Sequence, residues 1–223
     1  MRDEHLDSVI KKRIFKTMDG LAKNGMECYM AETAAEVPDI VKTLIEKGAT
    51  VASGGSATLN ETGVIDLLRS GDYNYLDRSG VSGDAVKKLF RDSLSADVYL
   101  SSTNAVTENG ELYNVDGNGN RVAALCYGPD SVIIVAGYNK IVANIDEAVR
   151  RVKTIAAPAN TERLGCDTYC REKGECMSCA SGDFRLPSGC RSSGRICCSY
   201  VITAHQRVPG RIKVILVAES LGY

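Results

Sequence analysis

Seven of the chain's nine cysteines fall between positions 166 and 198: Cys166, Cys170, Cys176, Cys179, Cys190, Cys197 and Cys198. Thiolates gathered in one stretch can hold a metal ion or an iron–sulfur cluster, close disulfides, or switch redox state. The spacing Cys166-x3-Cys170-x5-Cys176-x2-Cys179, followed by Cys197, supplies an all-thiolate set, and Cys-x2-Cys forms a tight ligand knuckle. The two histidines, His5 and His205, lie outside the run, which argues against most open catalytic zinc sites. The residues predict zinc or an iron–sulfur cluster held within Cys166, Cys170, Cys176, Cys179 and Cys197, with Cys190 or Cys198 in reserve. Redox-active thiols or disulfides, and inert buried cysteines, are the alternatives. The surplus of thiols tilts the expectation slightly from zinc toward a cluster.

A second constellation lies earlier. Gly54-Gly55-Ser56 stands where a short apolar strand hands over to a helix, a place where glycine lets a ligand approach the backbone and free amides favour an anion. Ser56 can bind a phosphate or carboxylate, with Thr58 and Glu61 in the following turns. A tight turn capped by serine is the bland alternative, because the loop is neither a Walker loop nor a dinucleotide fingerprint. The segment 101–111 follows another strand and so shares a sheet edge with that loop. In it, Asn104 offers a donor and an acceptor, and Glu108 is a candidate general base. Arg121 suits a carboxylate or phosphate through its planar fork, although Asn-Gly and Asp-Gly pairs nearby equally suit turns. Lys140, just after the strongest strand, sits at a ligand-binding position or is simply solvated.

The elements that position these residues alternate. Leu6, Ile10, Ile14, Met18 and Leu21 recur at helical spacing and predict a first helix; its basic cluster (Lys11, Lys12, Arg13, Lys16) reads as a solvated face rather than a nucleic-acid contact. Thr33 and Glu36 form a capping box for a second helix running through Ile45 to a stop at Gly48. Strands are predicted at 50–53, 73–77, 97–101, 132–136, 200–204 and 212–217. Helices are predicted around Leu59 to Leu68, at 84–93 and at 144–155. Asn109-Gly110 turns a hairpin into 112–115. Strand–helix repetition of this kind predicts an α/β, Rossmann-like fold, a mainly parallel sheet with helices on both faces. The final strand is expected to rejoin the sheet, making 1–223 a single domain with a cysteine-rich insertion at about 166–198.

Composition narrows the function classes. A length of 223 residues, 44% hydrophobic and 25% charged, suits an ordinary globular chain with its own core. The net charge of −1 offers no field for nucleic acid or anionic membrane. The polar N-terminus and the lack of a long apolar run predict a cytoplasmic protein with no membrane span. In that compartment disulfides are rare, and an odd cysteine count weakens a disulfide staple further. No nucleotide cofactor is expected.

Three segments together resemble the LUD domain family, named for lactate utilisation: Gly-Gly-Ser-Ala-Thr-Leu-Asn-Glu-Thr-Gly at 54–63, Ala-Asp-Val-Tyr-Leu-Ser-Ser-Thr-Asn-Ala-Val-Thr-Glu-Asn-Gly at 96–110, and Asn-Lys-Ile-Val at 139–142. The resemblance covers essentially the whole chain. It implies a fold similar to the sugar-phosphate isomerase and CoA-transferase superfamily, whose glycine loop binds a substrate phosphate or its equivalent. That role passes to Gly54, Gly55 and Ser56, with Asn104, Glu108 and Lys140 near the reacting end. The tail Cys166, Cys170, Cys176, Cys179 and Ile196-Cys197 resembles a shorter branch of the family of unknown role, and Cys190 lies in an extra segment. The resemblance further implies an accessory or electron-transfer subunit in oxidation of lactate or a similar hydroxy acid, with iron–sulfur partner proteins and a homodimer. The competing readings are a self-contained isomerase or transferase acting on a small anionic metabolite, and a ligand- or redox-sensing module. The sequence leaves open whether the chain is itself an enzyme.

Overall fold

The computed structural model describes residues 3–223; Met1 and Arg2, the start of the polar N-terminus read above, lie outside the described residues. The strands in chain order are β1 (Glu27–Ala31), β2 (Thr50–Ser53), β3 (Asn74–Tyr75), β4 (Val98–Ser101), β5 (Ala105–Thr107), β6 (Leu112–Asp116), β7 (Ser131–Gly137), β8 (Ile141–Val142), β9 (Ser199–Thr203) and β10 (Ile212–Val217). Six of them form one parallel sheet in the order β1-β10-β7-β4-β2-β3. A second sheet, β8-β5-β6-β9, joins β8 to β5 in parallel and the rest antiparallel. The expected mainly parallel α/β architecture is the one found, and the final strand does enter the main sheet, between β1 and β7.

Alternation along β7 explains how the main sheet is covered twice. Val132, Ile134 and Ala136 turn to one face, where Ile10, Ile14 and Leu21 of the helix Glu4–Lys23 pack. Ile133 and Val135 turn to the other, against Val37, Val41, Leu59 and Leu68. A parallel strand buried on both faces must be apolar throughout, and this one is. The second sheet has its own cluster, in which Ala105 and Tyr113 meet Val149, Val152 and Ala157.

Several local expectations are corrected. β1 was not foreseen: Glu27-Cys-Tyr-Met-Ala31 is an edge strand, mostly half-exposed, so its apolar alternation is weak. The helix expected across Leu59 to Leu68 is two five-residue helices, Ala57–Glu61 and Val64–Leu68, broken at Gly63 with φ +71°. The strand at 73–77 shrinks to β3. The capping box is incomplete: Thr33 makes no cap bond, Glu36 accepts from the Glu32 amide and the Thr33 hydroxyl, and the helix Val37–Leu44 ends before Ile45. A helix, Asn120–Cys126, follows the polar turn at 116–119. The helix from Ile145 does not stop at 155; a π-helical segment Val152–Ala156 links it to Ala157–Leu164. Nor is the basic cluster of the first helix simply solvated, since Lys11 pairs with Asp7 and Glu32, and Arg13 and Lys16 with Glu108. Among the described residues no helix is long and apolar enough to cross a membrane.

Candidate functional site

The chain leaves β2 toward β3 on one side and leaves β4 toward β7 on the other, so the order reverses between these neighbours. In open parallel sheets a crevice opens beyond the strand ends at such a reversal. Here the crevice is a cleft of about 80 Å3 walled by Gly55, Ser56 and Ala57 after β2, Ser101 to Asn104 after β4, and Lys140 after β7, with Arg121, Asn160, Arg163 and Tyr223 closing it. The glycine loop, Asn104, Arg121 and Lys140, distant in sequence, thus meet. No Asp or Glu side chain is among the described residues that line the cleft.

Lys140 is its most unusual member. It is 3% exposed, and its ammonium donates to Thr58 Oγ1 at 2.9 Å and Ser102 Oγ at 3.0 Å. An ammonium has three donors, so one remains for a ligand. Burial, reinforced by the nearby Arg151 and Arg121 charges and only partly opposed by Glu61, lowers its pKa to about 7. A lysine at that value is a proton donor and acceptor near neutrality.

The surrounding charges are held for other purposes. Arg121 spends its guanidinium on Ser102 O, Asn114 Oδ1, Asn104 Oδ1 and Val115 O, at 2.7 to 3.2 Å. It therefore clamps the loop after β4 to β6 and pairs with Asp116, 3.7 Å from its Nε, rather than offering the free fork expected of it. Asn104 Oδ1 also accepts from the Val115 amide, while its amide nitrogen takes no protein partner among the described residues. Arg151 joins the two sides by donating to Asn139 O and Asn104 O. Ser56 realises the bland reading in part, since its hydroxyl caps the short helix by accepting from Leu59 N at 3.2 Å. Thr58 acts through Lys140, and Glu61 accepts from the Gly222 amide, fastening the segment 221–223 over the cleft.

Neither Gly54 nor Gly55 has a left-handed backbone. A β-carbon on Gly54 would meet Arg121 Cδ at 3.1 Å and Tyr99 OH at 3.2 Å, whereas one on Gly55 would meet only the movable Arg78 guanidinium. Arg78 belongs to an adjoining hollow of about 310 Å3 on the far side of the glycine loop, which also holds Arg69, Tyr75, Asp77 and Arg163.

Glu108 is the expected site residue that the structure keeps away. It lies beyond β5, where Lys16 at 2.6 Å and Arg13 at 2.9 Å grip its carboxylate. The Lys16 contact, ahead of Arg13, holds its pKa below the ordinary carboxylate value. A carboxylate so paired is a poor base, and its work is to fix the first helix to the hairpin. Conversely, Asn160, Arg163 and Tyr223 were not foreseen, because two lie on an otherwise ordinary helix and one in the C-terminal segment. Asn160 and Arg163, three apart, share a helical face, which is the only signal the sequence carried.

The cysteines divide. Cys170, Cys176 and Cys197 of the expected set line one small cavity together with Cys190. Cys166 sits apart beside Glu162, Asp167 and Arg171, Cys179 does not line the cavity, and Cys198 is exposed. Burial, then the neighbouring thiols Cys170 and Cys176, pushes the Cys197 thiol up to about 12. Among the described residues, no three His, Cys, Asp or Glu side chains stand ready-made as a metal site.

A family model for the LUD domain matches residues 14–217. The chain belongs to the LUD domain family. No curated protein matches it. Among solved structures, a DUF162 family protein from Deinococcus radiodurans superposes on this LUD domain with a TM-score of 0.51 at 19% identity, over 94% of this chain and 98% of that one. That likeness is one of fold. The eIF2B beta protein of Chaetomium thermophilum aligns over 50% of this chain and 43% of its own, with a TM-score of 0.36 at 16% identity.

Proposed function

We propose that the cleft at the ends of β2, β4 and β7 binds a small carboxylate or phosphate-bearing anion, and that this LUD-domain protein serves as the acid-holding subunit in oxidation of lactate or a similar hydroxy acid. The observation that carries this reading is the cleft's charge: Lys140, Arg121 and Arg163 line it, and no Asp or Glu side chain is among the described residues that do. Cations facing a partly dry cavity attract an anion far more strongly than they would in water. Its volume of about 80 Å3, set against the ~300–1,000 Å3 of pockets that enclose drug-sized ligands, suits an anion of a few heavy atoms.

In such a complex the acid's charged end meets the cationic groups, Lys140 among them. The hydroxyl proton passes to a base and the C2 hydrogen, with two electrons, to an acceptor, both carried by a redox partner protein, and the alcohol becomes a ketone.

A second reading is a self-contained isomerase or transferase. It is favoured by the Lys140 pKa of about 7, which suits proton shuttling without a redox partner, and by the adjoining arginine-lined hollow, which can take the rest of a larger phosphorylated substrate. Calorimetric titration of the purified protein with L-lactate, pyruvate and inorganic phosphate tests anion binding. Turnover of a bound phosphorylated anion by the protein alone would favour the second reading. Binding of lactate with turnover only when an acceptor protein is added would favour the first, and no binding of any of the three would refute both.

A further inference from the structure

The second cavity, separate from the anion cleft but lined by the same helical stretch (Ala157 and Thr161 here, Ala156 and Asn160 there), is walled by four thiols from separate parts of the chain. Cys170 lies on the helix Tyr169–Lys173, Cys176 at the N-cap of Met177–Ala180, Cys190 in the loop that follows, and Cys197 two residues before β9. We infer that Cys170, Cys176, Cys190 and Cys197 form a structural site for one divalent metal ion of thiolate preference, zinc being the chemical type.

Three observations support it. First, most of these sulfurs already have a hydroxyl beside them. Thr168 and Thr161 lie 3.4 and 3.5 Å from Cys170 Sγ, Ser178 Oγ lies 3.4 Å from Cys176 Sγ, and Ser192 Oγ donates to Cys190 Sγ at 3.0 Å. Outer hydrogen bonds of this kind orient and stabilise thiolate ligands.

Second, the charges balance. Four thiolates around a divalent ion carry a net −2, and two cations, Lys153 and Arg195, line the same cavity. Lys153 is 5% exposed and is tied to Ser178 Oγ, Arg185 O and Ser188 O; Arg195 is tied to Cys190 O, Cys197 O, Pro187 O and Tyr200 OH. With neutral thiols, Lys153 and Arg195 meet only carbonyl and hydroxyl oxygens, and no Asp or Glu side chain is among the described residues that line the cavity. Coordination supplies the missing countercharge.

Third, the segment 181–198 contains no helix or strand, and from 166 to 198 only Thr168, Cys170 and Ser178 are buried. Such a stretch has little core of its own, and metal binding is a source of folding free energy for segments of this sort. The choice between one ion and a cluster follows from room. The cavity is small, about 30 Å3, which favours a single ion drawing the four sulfurs inward over a cluster of several irons and sulfides. On binding, the ion takes the thiol sulfurs as thiolates and their protons pass to solvent.

The test uses the full chain, purified under reducing anaerobic conditions, with metal and acid-labile sulfide measured, then stripped and titrated with Zn(II) and with Co(II). One zinc per chain, or one cobalt with the intense absorption of a tetrahedral thiolate complex, is expected. Alkylation followed by mass spectrometry, read on the unaltered chain, should show zinc protecting Cys170, Cys176, Cys190 and Cys197 while Cys126 and Cys198 still react. Cys176→Ser and Cys190→Ser should each lose the stoichiometric ion; Cys198→Ser should keep it. Iron with sulfide, a disulfide among the four, protection of a different set, or no tight metal would each overturn the inference.

Discussion

Lys140 is held by contacts that a surface lysine never has, and two consequences can be measured. Its pKa of about 7 in the fold stands against an ordinary value of 10.5. Between those values the unfolded chain binds the extra proton and the folded chain does not, so this group makes stability rise with pH across that window. In Lys140→Met that part of the slope should vanish, read as urea midpoints at several pH values between 7 and 10.5; an unchanged slope would mean the side chain is not buried as described. Glu108 supplies the converse test. Because it pairs with Arg13 and Lys16, whose side chains are 43% and 65% exposed, Glu108→Gln should cost no more than ~1 kcal/mol and leave anion affinity unchanged. A large loss of affinity in that variant would return Glu108 to the site. At this scale the sequence showed the glycine loop, Asn104 and Lys140 because strand ends and polar loops announce themselves. It could not show that Arg121's donors are consumed internally, or that Glu108 faces away, since both depend on contacts between segments nearly a hundred residues apart or on loop closure.

Between elements, the first helix and the β5–β6 hairpin meet closely. Backbone meets backbone there: a β-carbon on Gly20 would come within 2.6 Å of the Asn109 carbonyl carbon, and one on Gly110, with φ +88°, within 2.3 Å of Gly20. Gly20→Ala should therefore destabilise the fold by roughly 1–3 kcal/mol in denaturant unfolding, although alanine is the better helix former and would stabilise an open site. A neutral or stabilising effect would show that helix and hairpin are not in contact. The same elements mark what periodicity reveals. β7 from Val132 and β10 from Val214 are apolar runs because both faces are covered, and the long first helix repeats its apolar residues regularly, so all three were legible. β1 sits at an edge, β3 is two residues long, and the helix Asn120–Cys126 starts in a run of turn formers. Local patterns are weak in each, and tertiary partners decide them. The division of the cysteines was illegible for the same reason: spacing in the chain does not specify which thiols a loop folds inward.

For the molecule as a whole, the main sheet gathers three strand ends into one positive cleft, the second sheet braces the loop after β4, and the C-terminal residues close over the opening. Leu221 exchanges hydrogen bonds with Asn139, Gly222 donates to Glu61, and Tyr223 contacts Arg163. Leu221→Ala, which loses a buried contact in this closure, should loosen the segment and weaken anion binding several-fold, measured in the same titration, with a stability loss of ~2–5 kcal/mol at most. The central claim is that the cleft is an anion site governed by the charge on Lys140. Its most direct test is the dissociation constant for L-lactate and for inorganic phosphate, measured calorimetrically as pH is raised through 7 in the unaltered protein and in Lys140→Met. A charged hydrogen bond contributes ~1.5–3 kcal/mol, so affinity should fall by roughly ten- to a hundredfold as Lys140 loses its proton, and the variant should bind weakly at every pH. Equal affinity in the two proteins, or binding that does not change through that range, would contradict the account.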